Sequence, residues 1–397
     1  MIDRTPTPTA VVWDQEAPRQ APFAASDQFV GLRATGRSAS YTIADTWYPS
    51  WGSDDRLYSP FTDGKVHGVT SWSVGENATT GYAVIAGADP LDLNIEGVGV
   101  VAASPGSYGG RYPSASLMHD GVWYYGTYCL DDRGRGLNWD RLGPFVGFRT
   151  STDNGATWVE APHTPEAPLF GESAFDSAPI KMGAPHFVDL GKNMEYSPDG
   201  WAYLVGHGSS TSSSQLTWIS GDDIYLARVR PSVETINDPR CWEFYTGQAT
   251  DSTQKWSLEL SDATPIASWP GHMGCATVTY LPHTCKYLMC VTDGWPTIKE
   301  MDSYVLEADQ LHGPWRMVSY MEEFGKQAYF LNFPSKFIST EEDRAWLCYS
   351  ANFTSDYMHP KIEVDPVGSR YAMCLMEVEL MRLDHPSSTE ETPNDHR

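Results

Sequence analysis

Two aspartates, Asp45 and Asp63, close the ends of the segment DTWYPSWGSDDRLYSPFTD, and each flanks a strand-like run. Aspartate is disfavoured next to strands unless it serves something. The segment turns near Asp54, and residues equidistant from a hairpin turn face each other. Asp45 and Asp63 are therefore expected as neighbours at the open end of one hairpin. Two adjacent carboxyl groups are the minimum equipment for general acid/base cleavage of a glycosidic bond. Their like charges raise the pKa of one partner, which keeps a proton available near neutrality.

The same pairing logic brings other side chains to equivalent ends. A turn at Asp120-Gly121 sets Arg111 opposite the Cys129–Asp131 region, and His186 is read across from His207. A turn near Pro282-His283 sets His272 opposite Asp293, and Asn332 approaches the Ala351–Asn352 end. Trp47, Trp51 and Trp295 lie nearby in sequence and are read as platforms for sugar faces. The expected site thus has Asp45 and Asp63 as catalytic residues. Trp47, Trp51, Arg111, His186, His207, His272, Asp293, Trp295 and Asn332 are expected to bind substrate. Asp54, Asp55, Asp120 and Asp199 sit in turns and need no function. His186, between Pro185 and Phe187, reads equally well as a satisfied core histidine, and Arg111 as a brace for Asp131. The histidines lack regular ligand spacing, so neither a metal nor a cofactor is expected.

The elements that must position these residues repeat along the chain. One pattern recurs: a polar or Pro-containing strand, a tight turn, then an aromatic strand ending in a small or polar cluster. Its copies span 45–64, 111–131, 183–208, 271–294 and 332–353, with starts roughly 60 to 90 residues apart. Each copy is followed by further strand-like runs, such as TGYAVIAGADPLDLNIEGVGV after the first and YAMCLMEVELM after the fifth. Five such units read as an all-β, five-bladed β-propeller with four-stranded antiparallel blades. The run QFVGLRATG (28–36) is placed to complete the last blade and close the ring. A single domain over 1–384 is expected, followed by a polar, disordered tail over 385–397.

STDNGATW (151–158) matches the S-x-D-x-G-x-T-W turn motif of bladed carbohydrate-active folds. It falls on an outer hairpin, so its expected role is scaffolding, with Asp153 accepting backbone hydrogen bonds, Gly155 relieving the turn and Trp158 packing beneath.

Composition agrees with a strand-and-turn fold: 15 Trp, 21 Tyr, 34 Gly and 28 Pro are spread along 397 residues, of which 20% are charged. A net charge of −24 excludes a nucleic-acid partner, because phosphate neutralisation needs a basic face. It also disfavours polyanionic saccharides. Seven cysteines without a CxxC pair read as free, mostly buried thiols, which suggests a reducing compartment. The N-terminal residues lack the apolar core of a signal peptide and no run is long enough to cross a membrane. A cytoplasmic location is the expectation, although a secreted protein with its signal removed would look the same. No oligomeric state is legible.

The hairpin DTWYPSWGSDDRLYSPFTDG resembles the first-blade motif of the endo-D-arabinanases that degrade mycobacterial arabinan. In that family one Asp opens the first strand and a second, in a Gly-Asp-Thr context, ends the next. The resemblance implies a five-bladed propeller and a catalytic acid pair at Asp45 and Asp63, with the second here in Thr-Asp-Gly instead. A looser likeness links VLEADQLHGPWRMV (305–318) to the outer strand of the arabinanase, xylosidase and invertase group. Those enzymes take their acid, a Glu, from a later blade; blade three here offers histidines instead, and Glu172 in the preceding loop LFGESAFD is the only obvious substitute.

The expected activity is hydrolysis of a glycosidic bond, in a furanoside or another neutral sugar, with an oligo- or polysaccharide as partner. Two other classes use similar residues. A polysaccharide lyase would work through His, Tyr and Arg on a uronate, and a non-catalytic propeller would bind sugar with the same aromatics.

Overall fold

The computed structural model describes residues 11–13, 16–75, 77–102, 110–131, 141–172, 179–211, 216–248, 254–294, 301–351, 366 and 368–383. Trp295, Asn352 and the 384–397 tail lie outside them. The chain is a five-bladed β-propeller built from antiparallel sheets, and its only helical elements among the described residues are four three-residue 3₁₀ turns.

Each blade starts with a strand beside the central axis and steps outward. Blade one runs from Ile43–Asp45 and Ser50–Trp51 through Leu57–Val66 and Thr79–Ala86 to Asn94–Ala102. Blade two comprises Tyr112–His119, Val122–Asp131 and Arg141–Ser151, with Val159 bridging Thr150 at its outer edge. Blade three runs Gly183–Phe187, Ala202–Gly208, Asp223–Val229 and Glu243–Gln248, with Gln254–Ser257 added outside. Blade four is Ala276–Leu281, Lys286–Asp293, Asp302–Ala308 and Arg316–Met321. Blade five is Tyr329–Asn332, Arg344–Ser350 and Met373–Arg382, completed by Phe29–Tyr41 from the start of the chain. That last pairing, from Phe29 opposite Arg382 to Tyr41 opposite Met373, closes the ring as expected.

Burial along the strands follows their place in the blade. Ala202–Gly208 lies between neighbours on both faces and is buried at every position, whereas the outer Asn94–Ala102 alternates between exposed positions and buried or half-buried ones. A strand packed on both faces carries a continuous apolar run; one packed on a single face alternates. Aromatic side chains fill the wedges between blades. Tyr58, Tyr82, Trp123, Tyr125 and Trp158 form one such cluster between blades one and two. Trp158 belongs to the 151–158 turn, in which Ser151 and Thr157 both bond Asp153 and Gly155 stands at φ 90°. The Thr157 amide also donates to Asp153 at 2.8 Å. The motif is a structural clasp, as its outer position implied.

All seven cysteines are free; five are buried, Cys241 is half-buried and Cys285 is exposed. Among the described residues no helix is long and apolar enough to cross a membrane.

Candidate active site

Asp45 sits at the end of the innermost strand of blade one, directly opposite Thr62 rather than Asp63. The register slips by one residue between Ile43, which faces Lys65, and Asp45. Two residues with left-handed backbone produce this local geometry: Thr46 at φ 68° and Asp63 at φ 48°. A β-branched residue in that region is strained, and such strain is retained where the surrounding structure enforces it. Gly64 lets the two strands close up, since a Cβ there would lie 2.0 Å from the Ile43 carbonyl oxygen. The Thr-Asp-Gly context of the second aspartate is therefore a packing requirement. The outcome is the expected juxtaposition, reached by a bulge instead of a regular ladder.

The two carboxyl groups have different surroundings. Asp45 is buried, and accepts hydrogen bonds from the Tyr329 hydroxyl at 2.7 Å and the Thr46 hydroxyl at 2.7 Å. Burial and, second, the nearby charge of Asp63 push its pKa up to about 8, against the opposing hydrogen bonds of Thr46, Tyr329 and Tyr371. Asp63 is half-buried, and its two oxygens accept from the backbone amide and the hydroxyl of Ser73, at 2.7 and 2.6 Å. Burial raises its pKa too, and the paired Ser73 donors work against that rise. Ser73 is itself fixed, because its carbonyl accepts the Arg111 amide at 2.8 Å and a Cβ on Gly110 would meet that oxygen at 2.3 Å.

Five tyrosines surround the pair. Tyr329 bonds Asp45, and Tyr371 donates to the Asp63 carbonyl at 2.7 Å. Tyr48, Tyr112 and Tyr128 are buried close enough for the aspartate charges to raise their pKa values, on top of the larger effect of burial. All five phenols can donate hydrogen bonds. None of these tyrosines was singled out in the sequence. Tyr329 lies three residues before Asn332 on the same strand, so reading the blade-five repeat from an earlier start would have reached it.

Next to this layer His186, Cys275 and Tyr48 pack together. The His186 ring centroid is 3.9 Å from that of Tyr48, and its Nε2 is 3.0 Å from the Cys275 sulfur. Burial, then the neighbouring His207, push the His186 pKa down to about 3; burial takes His207 to about 4, despite its bond to the Thr217 carbonyl at 2.8 Å. Both rings are neutral. His186 pairs with Val205 and His207 with Gly183, so the two do not face each other in the ladder as expected. A bulge containing Ala184 at φ 36° intervenes. On the far side of His186 the channel holds a cavity of about 40 Å³, lined by Ser116, Asp189, Thr277 and Asn332 among others. That space suits a few waters and is too small for a sugar ring.

The remaining expected residues are distributed as follows. His272 Nδ1 meets Asp293 Oδ2 at 2.6 Å, as the turn geometry implied. Arg111 is buried at the start of blade two, where its guanidinium reaches the Thr127 hydroxyl at 3.3 Å and opposes the burial that pushes the Cys129 thiol up to about 11. Asn332 pairs with Cys348, not with the Ala351–Asn352 end, and its amide donates to the Trp47 and Phe330 carbonyls at 3.0 and 2.9 Å. A bulge with Phe330 at φ 57° accounts for that slip. Trp47 is 1% exposed and stacks on Phe61 at 5.7 Å, which places it in the core between blades five and one. Trp51 pairs with Leu57, about 17 Å of strand from Thr62, and its indole donates to Asp55 at the other end of the hairpin. Glu172 is engaged by backbone: its carboxylate accepts the Lys181 and Met182 amides at 2.6 and 3.0 Å, and burial pushes its pKa up to about 7. It holds the entry to blade three in place. Among the described residues no cluster of three or more His, Cys, Asp or Glu could hold a metal.

No protein-family model matches this sequence, and no curated protein sequence does. Solved structures of similar chain course do exist. A GH43_1 enzyme from Xanthomonas citri aligns with a TM-score of 0.46 at 13% identity, over 89% of this chain and 92% of its own. The catalytic domain of a GH62 α-L-arabinofuranosidase from Coprinopsis cinerea aligns at 0.45 and 10%, over 94% and 98%. An α-L-arabinofuranosidase from Podospora anserina aligns at 0.42 and 11%, over 87% and 92%.

Proposed function

We propose that this chain is a glycoside hydrolase in which Asp45 is the general acid and Asp63 the base or nucleophile. The observation that carries the reading is the opposed environment of two neighbouring carboxyl groups at one end of the channel. Asp45, with its pKa pushed up to about 8, holds a proton through neutral pH. Asp63 faces an amide and a hydroxyl donor from Ser73, which favour its charged form. Environments that push two carboxyl pKa values apart assign the acid and the base. Asp45 would protonate the leaving glycosidic oxygen, and Asp63 would activate water or attack the anomeric carbon. Tyr329 and Thr46 would then hold Asp45 as it becomes a carboxylate. A neutral sugar, a furanoside in particular, is the proposed substrate, since a uronate or sulfated chain would add negative charge beside two carboxyl groups.

The lyase chemistry that uses His and Tyr fits this site less well. Such chemistry needs a base strong enough to take a carbon-bound proton. Burial depresses both His186 and His207, and holds the phenols of Tyr48, Tyr112 and Tyr128 well above their ordinary value.

The test is product analysis by mass after incubation with neutral furanans, pyranans, uronate polymers and aryl glycosides. Fragments carrying one added water, absent with Asp45→Asn and Asp63→Asn, support the proposal. Unsaturated fragments, or turnover that survives both substitutions, overturn it.

A further inference from the structure

Blade four carries a second constellation at the corresponding end of its inner hairpin, with His272 just before the innermost strand Ala276–Leu281 and Asp293 at the end of the next. His272 Nδ1 lies 2.6 Å from Asp293 Oδ2; the aspartate side chain is 3% exposed and the histidine side chain 32%. A carboxylate can only accept, so Nδ1 carries a proton, and in the neutral ring Nε2 then presents its lone pair. The ring is held by more than this bond. It stacks on Trp269 with centroids 4.4 Å apart, the His272 carbonyl accepts the Tyr304 hydroxyl at 2.8 Å, and the His272 amide donates to the Trp269 carbonyl at 2.9 Å. The preceding Gly271 amide is anchored on Asp222 at 2.9 Å. Among the described residues Nε2 has no hydrogen-bond partner.

This group stands one layer from the aspartate pair. Thr292, adjacent to Asp293, accepts the Phe330 amide at 3.3 Å, and Phe330 follows Tyr329, whose hydroxyl bonds Asp45. Trp218 packs on Tyr329 at 5.5 Å, while its carbonyl accepts the Cys275 amide three residues after His272. The dyad and the carboxyl pair are thus connected through the packed side chains of Trp218, Tyr329 and Phe330.

We propose that the His272–Asp293 dyad is a hydroxyl-recognition element, in which Nε2 accepts a hydrogen bond from a neutral sugar and Asp293 positions the ring. A half-exposed imidazole braced by a buried acid is a costly way to stabilise a loop, because burying the acid strips it of water. It is an effective way to present one acceptor in a fixed direction. Asp293 on the ring, and Asp222 on the preceding amide, disfavour an anionic ligand and leave an uncharged hydroxyl as the matching group. For its substrate class this inference rests on the hydrolase reading above.

Calorimetric titration with arabinotriose and xylotriose, on Asp45→Asn as the non-cleaving parent, tests it. Adding His272→Ala is expected to weaken binding of whichever trisaccharide binds about tenfold, with an unchanged melting temperature. His272→Gln, which retains an acceptor, should recover part of the loss. Asp293→Asn, which frees the ring to invert its tautomer, should weaken binding without unfolding the protein. In the active protein His272→Ala should raise KM more than it lowers kcat. If wild type hydrolyses its substrate and His272→Ala binds as the parent does, the dyad's role is refuted and the hydrolase stands. If no turnover occurs but His272→Ala still abolishes trisaccharide binding, the hydrolase reading falls and the dyad stands. Absence of binding by the parent overturns both.

Discussion

Replacing Asp45 by asparagine keeps the shape of the side chain and removes its titration, and so isolates its proton. In the folded protein the carboxyl holds that proton up to about pH 8, whereas the unfolded chain releases it near the ordinary 3.8. Between these values the native state binds more protons than the unfolded state, so stability is fully present below about pH 4 and declines as pH rises towards 8. One proton corresponds to about 1.4 kcal/mol per pH unit, which sets a ceiling of about 6 kcal/mol over the whole interval. Relaxation and water entry bring the measured figure below that. Urea denaturation from pH 5 to 8 is the assay. Wild type should lose stability steadily over this range, and Asp45→Asn should lose less, becoming the more stable protein by pH 8. Glu172 and Asp189, whose pKa values burial pushes up to about 7 and 6, tilt both curves and cancel in the difference. Parallel curves for the two proteins would mean that Asp45 is not protonated at neutral pH, and the assignment of the general acid would fall with it.

Ser73→Ala removes the hydroxyl donor from Asp63 while leaving the amide. The Asp63 pKa should then rise further, so the acidic limb of the pH–rate profile should move to higher pH with a roughly tenfold loss of kcat at neutrality, read by steady-state kinetics. Gly64→Ala sets a methyl 2.0 Å from the Ile43 carbonyl oxygen and forces apart the strands that carry both acids. A loss of about 2–4 kcal/mol in urea denaturation, together with loss of turnover, is expected. Iodoacetamide at pH 8 should label Cys285 first and Cys241 more slowly, with activity retained, as read by peptide mass mapping. Cys275 should stay unlabelled, since burial pushes its thiol up to about 12 despite the opposing hydrogen bond with Tyr48.

The blade count, the closing role of residues 28–36 and the 151–158 clasp are local or periodic features. Alternation and turn chemistry decide them within a few residues, and a strand with both faces covered betrays itself by an unbroken apolar run. Two pairings were legible for the same reason: the Asp45–Asp63 neighbourhood and the His272–Asp293 contact each follow from one short hairpin. The tertiary structure alone decided the fine register, because the bulges at Thr46, Ala184 and Phe330 sit where inner strands crowd the axis and take left-handed backbone that no pattern of residue types announces. It also decided which tyrosines converge. Tyr48, Tyr112, Tyr128, Tyr329 and Tyr371 come from blades one, two and five, and become neighbours only when the last blade closes on the first. Trp47 and Trp51 show the converse, lying close in sequence to a carboxyl group yet buried in a wedge or carried to the far end of the hairpin. Strand periodicity sets what each blade is made of, whereas the convergence of side chains on an axis is a property of the closed ring and is set by packing between blades.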